Sequence, residues 1–235
     1  MPVVDDPRSI RPEDENARIW RYMDFTKFVS LLDRGALFFA PLDQLGDPFE
    51  GSFLPAGILK EGSKVANLDG TKRQLRSIVL RIAVNCWHAN DVESAALWRL
   101  YPKSDEGIAI QSTYKRLRQA LAASPHDIRV GEVRYLDYER ETFQGDWELD
   151  IFNASMHKRQ SFAHERELRA VVWPVPNGNG PNGLYVQVDL AALIEGVYVG
   201  PESPAWVTGL VASVSKRYGL VAPVHRSRLL EPPPY

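Results

Sequence analysis

Residues 165–199, ERELRAVVWPVPNGNGPNGLYVQVDLAALIEGVYV, decide the fold class. Residues 165–175 alternate in polarity and read as a strand that Pro174 ends. Residues 177–183, NGNGPNG, are a turn or an exposed loop. Residues 184–189 form a second strand, and residues 194–199 a third that leads into Gly200-Pro201. Successive strands of this kind break the strict strand–helix alternation of a doubly wound parallel sheet.

The rest of the chain fits the same irregular order. Asp24 or Thr26 caps a helix that runs to Arg34 on an apolar face of Phe25, Phe28, Val29, Leu31 and Leu32, and Gly35 ends it. Residues 36–40, ALFFA, are a short strand closed by Pro41. Residues 74–83 are a helix or strand, and residues 84–88, VNCWH, a buried strand end. Asn90 or Asp91 caps a helix to Tyr101. Residues 107–111 are a strand, 113–123 a helix, 131–138 (GEVRYLDY) one alternating strand, and 150–162 a helix. Residues 206–218 are the last helix and 224–227 the start of the last strand. With about seven strands and five helices and no internal repeat, the expected fold is α+β: a single domain of mixed, mainly antiparallel sheets with helices packed on them. Residues 1–18 are a flexible acidic lead-in, 19–230 the domain, and 231–235 an extended tail.

Composition narrows the function classes. The chain has 235 residues, 44% hydrophobic and 25% charged, with a formal net charge of −2. Such a balance gives no global basic field for nucleic acid. Cys86 is the only cysteine, so no disulfide forms within the chain. No signal peptide and no apolar run of about 18 residues is present, so the expected location is the cytoplasm and no membrane partner is expected.

Polar residues collect in three places. In Asp47-Pro48-Phe49-Glu50, Asp47 either caps loop amides while Phe49 plugs the core, or Asp47 and Glu50 face a cleft as substrate contacts. In the stretch from Cys86 to Tyr101, Trp98 and Tyr101 share a helix face, as core or as ligand contacts, and Cys86 reads as a small buried hydrophobe. His88, where strand meets helix, is a candidate base or substrate contact. In the third group Lys158 precedes Glu165, Glu167 and Arg169, which fall on one face of a strand. On an exposed edge they are a solvated strip. Lining a cleft, a glutamate could orient a hydroxyl or stabilise a developing cation, with Arg169 keeping it ionised. Walker, dinucleotide-fingerprint, GxSxG and HExxH motifs are absent, and no metal is expected.

These residues resemble a widespread bacterial domain family of unknown function. The resemblance rests on Trp20-Arg21-Tyr22, the Asp47–Glu50 loop, Cys86-Trp87-His88, Glu93-Ser94 with Leu97-Trp98 and Tyr101, Lys158, and Phe162 with Glu165, Glu167 and Arg169. The opening aromatic-basic strand, the helix, the glycine-ended turn and the late glutamate-bearing strand are also similar to ADP-ribosyltransferases. That resemblance implies NAD as substrate. Carried over by position, Arg21 would be the NAD contact, Tyr22 or Tyr101 the aromatic, and Glu165 or Glu167 the catalytic glutamate. Beside the resemblance, Arg169 is a further candidate contact for NAD, His88 a further catalytic candidate, and Asp47, Glu50, Trp98 and Lys158 are candidate substrate contacts. A bacterial toxin or phage-defence effector would use such chemistry on a small-molecule or macromolecular acceptor. Two other expectations stand beside it. One is a non-catalytic binding or regulatory module. The other is a metal-dependent nuclease using Asp47, Glu50, Glu165, Glu167 and Lys158.

Overall fold

The computed structural model describes residues 3–4, 10–51, 76–138, 151–175 and 183–233. Strand β1 (Arg18–Asp24) passes directly into helix α1 (Phe25–Arg34). Phe28, Leu31 and Leu32 recur at the helical spacing and bury one side of α1. Asp24 occupies the cap position, but its carboxylate instead accepts from the Lys103 amide at 2.6 Å. Gly35, at φ 57°, ends the helix in the left-handed conformation that costs glycine least. Strand β2 (Ala36–Pro41) follows at once.

The remaining strands are β3 (Ala83–Ala89), β4 (Gly107–Thr113), β5 (Ile128–Glu132), β6 (Arg134–Leu136), β7 (His157–Arg159), β8 (Glu167–Val172), β9 (Leu184–Gln187), β10 (Gly196–Val199) and β11 (Val224–Arg226). The helices are α2 (Ala95–Leu100), α3 (Tyr114–Leu121), α4 (Ile151–Ser155), α5 (Leu190–Leu193) and α6 (Ala205–Arg217). Nine strands form one sheet in the order β11-β10-β4-β1-β3-β2-β9, with β8 and then β5 branching from β3. All its pairs are antiparallel except β10–β11, and β6–β7 form a small parallel pair beside it. The fold is therefore a single-domain α+β fold with a mainly antiparallel sheet. No described helix is long and apolar enough to cross a membrane.

Register explains why the sheet opens. Strand β8 covers β3 continuously from Ala83 to His88. Strands β1 and β2 must share the other edge of β3. β1 takes the end at His88 and Ala89, and β2 takes the end at Ala83 and Val84. Between them, Asn85, Cys86 and Trp87 pair with neither strand. Side chains bridge the split: Asn85 Nδ2 and Arg21 Nη2 both donate to the Phe38 carbonyl, at 2.8 and 3.2 Å. Asn85, fully buried, also accepts from Trp87 Nε1 at 2.7 Å.

One face of the sheet carries the main core, with Ile19, Phe28, Leu37, Phe39, Trp87, Ile110 and Leu168. Burying each such side chain is worth about 1.5–3 kcal/mol. The opposite face carries a smaller aromatic cluster of Trp20, Tyr22, Leu97 and Trp98, and an aliphatic one around Val84, Phe152, Met156 and Val171. The polar residues lie between these two clusters.

Several local expectations change. Helix α2 starts later than Asn90 or Asp91 would place it, because Ser94 is the cap, with Oγ accepting from the Leu97 amide. Residues 131–138 are two strands, β5 and β6, which serve different sheets and part at Val133. Residues 150–162 are helical only over α4; β7 and a 3-10 turn, Gln160–Glu165, follow. Within the lead-in, the Val4 amide donates to Ile128 and the Ile10 carbonyl accepts from Glu132. The glycine-rich loop at 177–183 lies outside the described residues except for Gly183, as do residues 55–72.

Candidate active site

Strand β8 is buried along its whole length. Its register sets Arg169 beside Cys86 and Glu167 beside His88, so these four side chains share the face opposite the main core. Glu165 is not on that strand. Arg166 adopts φ 40°, a left-handed conformation costly for a side chain, and kinks the chain between the 3-10 turn and β8. The expectation of Glu165, Glu167 and Arg169 in one row is thereby corrected. Glu165 reaches the group from the turn instead.

The charges form a closed network. Arg169, with no exposed surface, donates Nε to Glu167 Oε1 at 2.8 Å and Nη2 to both Glu167 Oε2 at 2.8 Å and Glu50 Oε2 at 2.7 Å. Its Nη1 donates to the Ser155 carbonyl at 2.6 Å. Lys158 Nζ meets Glu165 Oε2 at 2.6 Å, Glu50 Oε1 at 3.2 Å and Glu167 Oε2 at 3.4 Å. Three carboxylates thus face two cations, and the group carries an excess negative charge. Burial alone would raise the pKa of Glu167. Arg169 first, then Lys158, override it and hold the carboxyl down at about 2. Burial likewise opposes the Lys158 ammonium, yet Glu167, Glu50 and Glu165 keep its pKa above the ordinary lysine value.

Glu165 differs from its neighbours. It is bound through Oε2 alone, to Lys158 and to the Tyr101 hydroxyl at 3.4 Å, and Oε1 has no partner among the described residues. Tyr135 is also part of this shell, its hydroxyl accepting from the Glu167 amide at 2.7 Å.

A cavity of about 660 Å³ straddles the split in the sheet. Arg21, Tyr22, Asp47, Glu50, His88, Tyr101, Lys158, Glu165, Glu167 and Arg169 all line it. Arg21 has no carboxylate partner among the described residues, and its guanidinium donates to the Phe38 carbonyl. Burial lowers its pKa to about 10, so the guanidinium stays charged at neutral pH. The cavity lining therefore combines the Arg21 guanidinium with the carboxylates of Glu50, Glu165 and Glu167.

Trp98 is not on the cavity wall. It packs edge-on against Tyr22 with ring centroids 5.0 Å apart, and its Nε1 donates to Glu93. Asp47 lines the cavity, but its carboxylate is engaged by Arg159, from Nη2 at 2.8 Å and Nε at 3.1 Å. Phe49 is exposed rather than a core plug, and the Arg159 guanidinium lies 4.6 Å from its ring centre. Cys86 is half-buried and lines the cavity, not an enclosed hydrophobe. Phe38 and Tyr185, 5.0 Å apart, form a wall that sequence reasoning missed, because their meeting depends on the β2–β9 register. Among the described residues no group of three or more His, Cys, Asp or Glu is arranged to hold a metal ion.

Acid stability follows from these shifts. His88 and His157 are both pulled below the ordinary histidine value of 6.5 by burial, His157 to about 4 with Arg134 and Arg169 adding to it. A neutral buried imidazole loses stability as the unfolded chain takes up protons, here as pH falls from 6.5 towards 4. Glu167 contributes stability that is present above 4.5 and lost as pH falls towards 2. The melting temperature should decline in two stages across these windows, and His157→Gln should flatten the first. A constant melting temperature from pH 7 to 4 would contradict the assignment.

No family model and no curated protein matches the chain. Three solved structures of Thermus sp. 2.9 DarT are similar to it. The complex with carba-NAD+ is 13% identical, covering 92% of this chain and 98% of that one, with a TM-score of 0.43. The complex with NAD+ is 14% identical over 93% and 98%, with a TM-score of 0.42. The complex with ADP-ribosylated ssDNA is 14% identical over 93% and 97%, with a TM-score of 0.45.

Proposed function

We propose that the chain is an NAD-using, ADP-ribosyltransferase-like enzyme. One observation carries the reading: a half-buried Arg21 with no carboxylate partner among the described residues and a glutamate, Glu165, whose Oε1 has none there either line the same cavity. An uncompensated guanidinium calls for an anion such as a pyrophosphate. The carboxylate group suits a cationic ring or a developing oxocarbenium ion. NAD+ carries both an anionic pyrophosphate and a cationic ring. The cavity volume of about 660 Å³ lies within the range usual for small-ligand sites.

In this mechanism the bond between the ribose anomeric carbon and the nicotinamide nitrogen breaks. Its electron pair leaves with the neutral nicotinamide. Positive charge then grows on the ribose, and Glu165 stabilises it. An acceptor nucleophile attacks the anomeric carbon and gives its proton to Glu165; with water as acceptor the outcome is hydrolysis. Lys158 and Tyr101 hold the glutamate in place, Glu50 and Glu167 hold Lys158, and Arg169 holds those two glutamates. A toxin or phage-defence role would express the same chemistry in a cell.

The test is incubation with NAD+ labelled on the adenylate phosphate, with single-stranded DNA, RNA or cell extract as acceptor. Nicotinamide release with label transfer or hydrolysis supports an enzyme. Binding without release leaves a binding module, and no binding ends the reading. Arg21→Ala should weaken NAD+ binding about 10-fold or more, the cost of losing a charge-assisted contact. Titration calorimetry checks this, and an unchanged affinity would remove Arg21 from the site.

A further inference from the structure

His88 holds a buried acceptor that nothing in the described protein satisfies. Its Nδ1 lies 2.5 Å from the Glu165 carbonyl oxygen. A carbonyl only accepts, so Nδ1 carries the proton and Nε2 presents a lone pair. That Nε2 is buried without a hydrogen-bond partner among the described residues. A buried acceptor left in this state is costly, and such groups in native proteins go with a functional role, a bound water or ion, or strain. Burial, more than the charges of Arg166 and His164, keeps the ring neutral against the pull of its bond to Glu165.

His88 is 4% exposed and its ring lines the cavity, with Nε2 itself closed off, so a ligand reaches Nε2 only after a small turn of the ring. Its bond to Glu165 sets it next to the residue proposed to face the anomeric carbon, where the leaving ring must lie. Tyr22 stands beside it, ring centroids 6.3 Å apart, with its hydroxyl already accepting from the Ser94 amide at 2.8 Å. We infer that His88 is a specificity-determining residue whose Nε2 accepts a hydrogen bond from the carboxamide amino group of the nicotinamide ring. This inference rests on the NAD-using reading above.

The acetylpyridine analogue of NAD+ tests it, because a methyl group replaces the amino group and removes the donor. Titration calorimetry of the wild-type protein should show NAD+ binding about tenfold tighter than the analogue. His88→Asn keeps a donor for the Glu165 carbonyl but has no atom at Nε2, and should bind both dinucleotides equally. His88→Gln extends an amide oxygen towards the Nε2 position and should regain part of the preference. Equal binding by the wild type, or an unchanged preference in His88→Asn, overturns the inference without touching the function proposed. Failure of the wild type to bind either dinucleotide overturns both.

Discussion

Replacing Arg169 by Met should lower the melting temperature of the domain by roughly 10 °C, with thermal unfolding as the readout. Removing one partner of a buried charge network costs about 3–5 kcal/mol, because the remaining charges stay buried and unpaired. For a domain of this size that is about 2–4 °C for each kcal/mol. Arg169 has no exposed surface and joins Glu50, Glu167 and the Ser155 carbonyl. Its loss strands two carboxylates and a carbonyl together, with Lys158 left as the one cation among three glutamates. Adding Glu167→Gln to Arg169→Met should recover part of the loss, since one stranded charge is then gone. A single variant as stable as the wild type would mean that water or a shifted cation replaces Arg169 without penalty.

That network shows what a sequence can and cannot disclose. The β8 face was legible, because the period of two in a strand puts Glu167 and Arg169 together wherever the strand lies. Helix α1 and its glycine stop were legible for the same local reason. The position of Glu165 was not: it depends on one left-handed residue, Arg166, and nothing in ERE marks that conformation. The strand over residues 131–138 misled because its alternation continues through Val133 while its partner changes from β8 to β7. The split in the sheet was also hidden. It follows from β1 and β2 sharing one edge of β3, a registry between segments far apart in the chain. Arg21 stood out in the sequence as a cation among aromatics, but only the split explains why it opens onto a cavity.

Glu165→Gln should leave the fold intact and slow turnover by about two to three orders of magnitude, which makes it the sharpest test of the proposed chemistry. Glutamine keeps the shape of the side chain and an oxygen for the Tyr101 hydroxyl, which now donates to Oε2. Lys158 loses one anionic partner but retains Glu50 and Glu167. Stability should therefore change little. What disappears is the negative charge facing the developing ribose cation, and loss of one such preorganised electrostatic contact typically slows kcat by about 100- to 1,000-fold. NAD+ should still bind, since Arg21 and the aromatic walls are untouched. Glu167→Gln gives the contrast. Its carboxylate is committed to Arg169 and Lys158, so the variant should lose acid-sensitive stability before it loses rate. Nicotinamide release measured alongside melting curves separates the two glutamates. A Glu165→Gln protein that releases nicotinamide at the wild-type rate would remove Glu165 from the reaction and, with it, the proposed stabilisation of the ribose cation.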